Sequence, residues 1–263
     1  SRAYNRRGLV HASMRNYEQA IFDYSKAIQL DRHYAEAYSN RSAAHLMMDN
    51  YGQALLDCNW AIELAPHFVS AYVNRGIANT GLRQYGEALK DYHRVIQLNP
   101  KNVYAYYNRG NTYLWMSQFE DAVDDYSQTI GLSPNFLAAY VNRGVIYHLL
   151  NDPQQAITDY TQAIGLNPNY VYAHYNRARA YHTVRQYDEA ISDFNRVIEM
   201  NPGHPYARKY RAQSYRASGD IRRAEEDEAF RPSQAAFDSP QELIVARSML
   251  MPVTPMDFIA RGE

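Results

Sequence analysis

Three columns of polar residues carry most of the chemistry open to this chain. Arginine recurs as Arg7, Arg41, Arg75, Arg109, Arg143, Arg177 and Arg211, and aspartate recurs in step with it as Asp23, Asp57, Asp91, Asp125, Asp159, Asp193 and Asp227. Asparagine directly precedes five of the arginines, as Asn40, Asn74, Asn108, Asn142 and Asn176. Seven guanidinium groups could form a basic patch. Equal numbers of carboxylates at a fixed offset favour a ladder of ion pairs instead, because the planar fork of arginine matches a carboxylate with two parallel hydrogen bonds. Each arginine is therefore expected within hydrogen-bonding reach of an aspartate from its own or the neighbouring segment. The asparagine amides offer both a donor and an acceptor, so they can serve either a ligand's backbone or the gap between helices.

Catalytic and metal-binding signatures do not accompany these columns. The chain has no phosphate-cradling glycine loop with its lysine, no HExxH helix, no nucleophile-elbow serine and no CxxC. His174 and His182 are too far apart on one helix to chelate an ion together, and His174 occupies a column otherwise aromatic, so it reads as a packed aromatic substitute. Cys58 reads as a small core residue. The run Glu225, Glu226, Asp227, Glu228 reads as the solvated face of a terminal helix. No cofactor, no metal and no enzymatic activity are expected.

The elements that must hold these columns follow a period of 34 residues, seen most clearly in Val103–Phe136. Tyr106, Gly110, Tyr113, Ala122, Tyr126 and Pro134 return one period later as Tyr140, Gly144, Tyr147, Ala156, Tyr160 and Pro168. A fixed period of this size signals stacked supersecondary units. Within each unit the apolar positions fall at helical spacing in two runs, such as Tyr140, Gly144, Tyr147 and then Ala156, Tyr160, Ala163, with a break at Asn151-Asp152-Pro153. Each unit is thus a helical hairpin, closed by pairs such as Asn167-Pro168, because proline disfavours helical geometry in the residue before it. The unit's eighth position is always small, from Gly8 to Ala212, and its twentieth is always alanine, from Ala20 to Ala224. Such positions let helix axes approach closely while Tyr92, Tyr126 and Tyr160 fill the remaining space. The predicted organisation is six tandem units over 1–204, a short seventh, capping unit over 205–230, and a tail over 231–263.

These features together resemble the tetratricopeptide repeat: aromatic at position 4, small at 8, alanine at 20, aromatic at 24 and proline at 32 of each unit. The likeness runs from Ser1 to about Phe230, with departures at Arg32, Cys58, His174 and Arg208. It implies an all-α, right-handed superhelical solenoid whose concave face is lined by each unit's first helix. It also implies a binding or scaffolding role without chemistry of its own.

On that reading, function lies in the concave groove. The asparagine column resembles the ladders of O-linked N-acetylglucosamine transferase and of the peroxisomal import receptor, so Asn40, Asn74, Asn108, Asn142 and Asn176 are candidates for pairing with an extended peptide. Tyr107, Asn111, Trp115, His148 and Tyr175 are candidate neighbours on the same surface, and the ligand is expected to be uncharged or aromatic. The other role, asparagines bonding between adjoining helices, stays open. Two further classes compete with this reading: the recognition arm of a larger enzyme, which a start at Ser1 inside the first unit allows for a processed or shortened chain, and a single-stranded RNA reader like the pentatricopeptide proteins. A formal charge of −1 and few unpaired cations speak against nucleic acid. Tyr38-Ser39-Asn40-Arg41 resembles cochaperones that clamp acidic chaperone C-termini, but Asn5, Leu9, Ser70 and Asn74 replace the residues of that clamp other than Asn40, so no such tail is expected to bind.

No apolar run reaches the roughly 18 residues of a membrane span. The chain is expected in the cytoplasm, although a single cysteine also suits an exported protein. In the tail, Pro240–Met251 is predicted to form a helix capping the last hairpin, with Ser239 at its start. The alternative is that Val253–Ile259 occupies a concave groove, its own or a neighbouring molecule's, which would allow self-association through the tail.

Overall fold

The computed structural model describes residues 1–230. The predicted tail helix over 240–251 and the strip over 253–259 lie outside the described residues. Those described form fourteen α-helices and no strand, in two compact units. The first, Ser1–Leu132, holds α1 (Arg2–Ser13), α2 (Tyr17–Leu30), α3 (Ala35–Leu46), α4 (Tyr51–Leu64), α5 (Val69–Gly81), α6 (Tyr85–Leu98), α7 (Val103–Trp115) and α8 (Phe119–Leu132). The second begins at Ser133 and holds α9 (Leu137–Leu149), α10 (Pro153–Leu166), α11 (Val171–Thr183), α12 (Tyr187–Met200), α13 (Ala207–Ser218) and α14 (Ile221–Ala229). Within each unit, odd- and even-numbered neighbours pair as hairpins, and each even helix also packs on the first helix of the next hairpin.

The bend inside each hairpin has one construction. The residue after the first helix's last turn is left-handed: Arg15, Asp49, Arg83, Ser117, Asn151 and Arg185 have φ of 55–62°, and Gly219 has φ 93°. Its successor's N–H then reaches back to the carbonyl five residues earlier, as in Asn16 to His11 at 2.9 Å, Gln84 to Asn79 at 2.8 Å and Asp220 to Tyr215 at 2.9 Å. This closes two otherwise unmet carbonyls at the helix end. Asp152 caps the next helix by accepting from the Gln155 N–H at 3.2 Å, with Pro153 in the first turn.

The small and large columns meet at the centre of the hairpins. A Cβ on Gly8, Gly76 or Gly144 would come within 2.6–2.8 Å of the ring of Tyr24, Tyr92 or Tyr160. The hairpins lacking that glycine also lack that tyrosine: Ser42 stands with Cys58, Ala178 with Phe194 and Ala212 with Glu228. The substitution at Cys58 is therefore half of a compensated pair. Burial pushes its thiol up to about 12, which makes it inert.

The departures at position 4 are compensated as well. Tyr72 and Tyr106 donate their hydroxyls to the carbonyls of Pro66 and Pro100 at 3.1 and 3.3 Å. His174 meets the Pro168 carbonyl through Nε2 at 3.0 Å, and Arg208 donates to the Pro202 carbonyl at 2.7 Å. At these four positions the column supplies a long side chain with a polar tip that reaches the same carbonyl.

Candidate functional site

The arginine–aspartate ladder is made within each hairpin. Arg7, Arg41, Arg109, Arg143, Arg177 and Arg211 each donate through Nε and Nη2 to the two oxygens of Asp23, Asp57, Asp125, Asp159, Asp193 and Asp227, and Arg75 holds Asp91 in the same way. A third arm reaches back one hairpin: Nη1 of Arg41, Arg75, Arg177 and Arg211 donates to Ser25, Asn59, Thr161 and Asn195. The carboxylates are buried and the guanidinium groups lie beside tyrosine rings, Arg109 between Tyr106 at 5.6 Å and Tyr113 at 5.9 Å. These cations hold hairpins together and are not offered to a ligand. Burial pushes the Asp91, Asp125 and Asp159 carboxyls up against the pull of their arginines. Burial would do the same at Asp193, but hydrogen bonds from Arg177 and His174 hold it below the usual carboxylate range. His174 is thus more than a packed aromatic substitute, since its Nδ1 lies 2.9 Å from Asp193 Oδ1.

The asparagine column sits deeper than a groove wall. In the first unit Asn40 is half-buried and donates to Asn5 Oδ1 at 3.0 Å. Asn74 is fully buried and donates to the Ser39 carbonyl and the Ser42 hydroxyl, at 3.1 and 2.9 Å, tying α5 to α3. These two bonds belong to the second role left open above. Asn108 on α7 is 2% exposed, yet neither of its amide atoms has a partner in the protein. Asn111 accepts from the Tyr126 hydroxyl at 2.7 Å, and Tyr107 packs on the Tyr126 ring at 5.9 Å. Trp115 is half-buried at the end of α7.

In the second unit Asn142 and Asn176 are buried on α9 and α11, and Asn176 Nδ2 is unpartnered. Tyr175 is buried among Phe194, His204 and Tyr210. His148 is half-buried, and burial together with the charge of Arg179 pushes it below the ordinary histidine range. His182 meets the Ser214 hydroxyl at 2.9 Å. Arg179 belongs to this neighbourhood but was absent from the predicted surface. Its signal was present in the sequence as the sole charge in a column otherwise occupied by Leu9, Ala43, Ile77, Asn111, Val145 and Gln213.

Among the described residues no group of three or more His, Cys, Asp or Glu is placed to hold a metal ion, and no helix is long and apolar enough to cross a membrane.

Paired helices repeated at a fixed period, with a bidentate ladder inside each pair, define a helical-hairpin repeat protein that presents side chains for recognition. The tetratricopeptide repeat family matches residues 1–34, 103–136, 138–170 and 171–204, about half of the chain, and a TPR repeat matches 83–117. The chain belongs to the tetratricopeptide repeat family, and its class of function is that of a protein–protein interaction scaffold. Proteins of this fold are generally non-catalytic. Among curated proteins none matches this chain. Solved structures share the fold. The C-terminal part of a TPR repeat-containing protein from Cytophaga hutchinsonii aligns with a TM-score of 0.68 at 17% identity, covering 84% of this chain and 92% of that one. MamA aligns at 0.59 and 24% identity over 61% of this chain and 87% of its own. YrrB, described as a TPR protein with an unusual peptide-binding site, aligns at 0.57 and 20% identity over 70% of this chain and 95% of its own.

Proposed function

We propose that this chain is a non-catalytic scaffold that takes an extended peptide segment of a partner protein against the first-helix face of its hairpins. The observation that carries the reading is the unspent hydrogen-bonding capacity beneath that face. Both amide atoms of Asn108, Oδ1 of Asn74 and Nδ2 of Asn176 are buried without partners in the protein. These atoms are closed to solvent, so a peptide backbone, with a donor and an acceptor at every residue, reaches them only once the face opens locally, and it then recovers the roughly 1–3 kcal/mol that a buried, unpartnered polar group costs. Half-buried Trp115 and Tyr104 in the first unit, and His148 and Tyr172 in the second, supply apolar and aromatic surface beside these amides. YrrB gives the fold a precedent for peptide capture.

The test is an array of end-capped peptides probed with the full chain and with Asn108→Ala. Asn108 has no bond to lose, so its removal is expected to leave the melting temperature within about 1 °C while weakening every retained peptide. Asn74→Ala breaks two bonds and is expected to lower it. Failure of every peptide to bind saturably, or equal binding by Asn108→Ala, overturns the groove reading.

A further inference from the structure

We infer that the first-helix face of the second unit carries an anion subsite, centred on Arg179, that takes the carboxylate of an aspartate or glutamate side chain in the partner peptide. The inference rests on the groove reading and narrows its ligand, which the sequence suggested was uncharged. Helices α9, α11 and α13 contain no aspartate or glutamate and seven arginines or lysines. Most of these cations are already engaged. Arg143, Arg177 and Arg211 are held by the ladder aspartates, Arg216 by Glu228, and Arg208 by the Pro202 carbonyl and the Phe230 ring. Arg179 has no carboxylate within ion-pair distance among the described residues and donates to no side chain there. It lies 5.1 Å from the Tyr210 ring centroid and 5.9 Å from that of Tyr175.

The Arg179 guanidinium carbon lies over both rings, and its N–H groups have no side-chain acceptor among the described residues. Cation–π contact is attractive but does not supply the hydrogen bonds that a half-buried guanidinium gives up on leaving water. A carboxylate supplies two of them in parallel together with the missing charge. The surrounding groups favour the same ligand. Lys209 lies 5.5 Å over the same Tyr210 ring. The other titratable groups facing Arg179 are His148 on α9, kept in its neutral form by burial and by Arg179 itself, and Tyr160 on α10. Neither competes as an anion at neutral pH. The first unit has no counterpart, because Leu9, Ala43, Ile77 and Asn111 occupy the equivalent column.

The experiment is an NMR titration of the arginine Nε–Hε signals of the full chain, with acetyl-aspartate N-methylamide as probe and the asparagine analogue as control. Arg179→Lys assigns the signal. The expected result is a saturable, salt-sensitive shift of the Arg179 signal with the aspartate probe alone, while the ladder arginines stay still. No shift, or the same shift with both probes, overturns the subsite. On the peptide array, Arg179→Gln is expected to weaken peptides bearing Asp or Glu about tenfold, as befits a charge-assisted pair, and to spare their amide counterparts. Peptides that bind with no acidic preference overturn the subsite and leave the groove reading intact. A titrating Arg179 in a chain that binds no peptide supports the subsite and removes the groove.

Discussion

The two units are built on one plan and use it differently. In the first, the face of α3, α5 and α7 has Glu36 as its one charge outside the ladder, and its other polar groups are mainly amides and hydroxyls such as Asn74, Asn108, Asn111, Thr80 and Thr112, with His45 at the end of α3. In the second, the corresponding face of α9, α11 and α13 gathers His148, Arg179, His182 and Lys209. The ladder and the closely packed hairpin centres are common to both. What the comparison teaches is that the architecture is insensitive to the columns that differ. Those columns are therefore free to set what each unit recognises and how it responds to pH.

The largest expected effect probes the ladder. Arg109→Ala leaves Asp125 buried with no cation bonded to it, a loss of about 3–5 kcal/mol. Arg177→Ala should cost less, because His174 still bonds Asp193 at 2.9 Å. Chemical denaturation of the two variants checks the order. Equal losses would remove His174 as a distinguishing feature of the second unit.

Acid should separate the units next. Burial against Tyr175 pushes His204 down to about 4. The unfolded chain therefore takes up this proton at higher pH than the folded one, so the stabilisation is complete above pH ~6.5 and is lost as pH falls toward 4, by roughly 3 kcal/mol in all. Burial depresses His148 and His182 in the same direction, and in the first unit it does so at His45, so among the described residues the second unit carries three such groups against one. Hydrogen exchange at pH 7 and pH 5 should show α11–α13 losing protection before α5–α7, and His204→Phe should reduce the difference. Uniform loss across both units would break the comparison.

A mid-sized effect tests the shared hairpin centre. Gly144→Ala places a methyl 2.8 Å from the Tyr160 ring and should cost about 1–3 kcal/mol by overpacking. Gly52→Ala meets nothing within 4 Å and should stabilise through helix propensity, by up to about 1 kcal/mol. Replacing Gly144 and Tyr160 together by alanine and phenylalanine, the pair found at Ala178 and Phe194, keeps the ring's volume and should recover part of the first loss. Thermal melts of the three variants decide it.

The hairpins and their ion-pair ladder were legible because both are set by local period and charge balance, which survive without knowledge of tertiary distance. The asparagines were harder to place. Their column marks the face of a helix but not how far the next helix covers it, so Asn74 and Asn108 look alike in sequence although one is bonded and the other is not. Arg208 and His174 looked like departures because the acceptor they reach, a proline carbonyl six residues earlier, carries no side-chain signature. Arg179 is marked in sequence as the one charge in its column, but its lack of a carboxylate partner shows only in the geometry.

The smallest expected effect lies at the hairpin bends, where the units agree. Arg83 in the first unit has φ 59° and Arg185 in the second has φ 62°, a conformation that disfavours a Cβ by roughly 1–2 kcal/mol. Both side chains are exposed and make no ladder contact. Replacing either by glycine removes the steric penalty but adds freedom to the unfolded chain, so the net gain should be only about 0.5–1 kcal/mol. Gly219, at the equivalent bend, already has the relaxed form with φ 93°. Arg83→Gly and Arg185→Gly should therefore each raise the melting temperature by a similar one or two degrees, roughly, in a chain of this size. A gain at one bend and a loss at the other would mean that one of these exposed arginines contributes to its unit, and the bends would then join the columns in which the units differ.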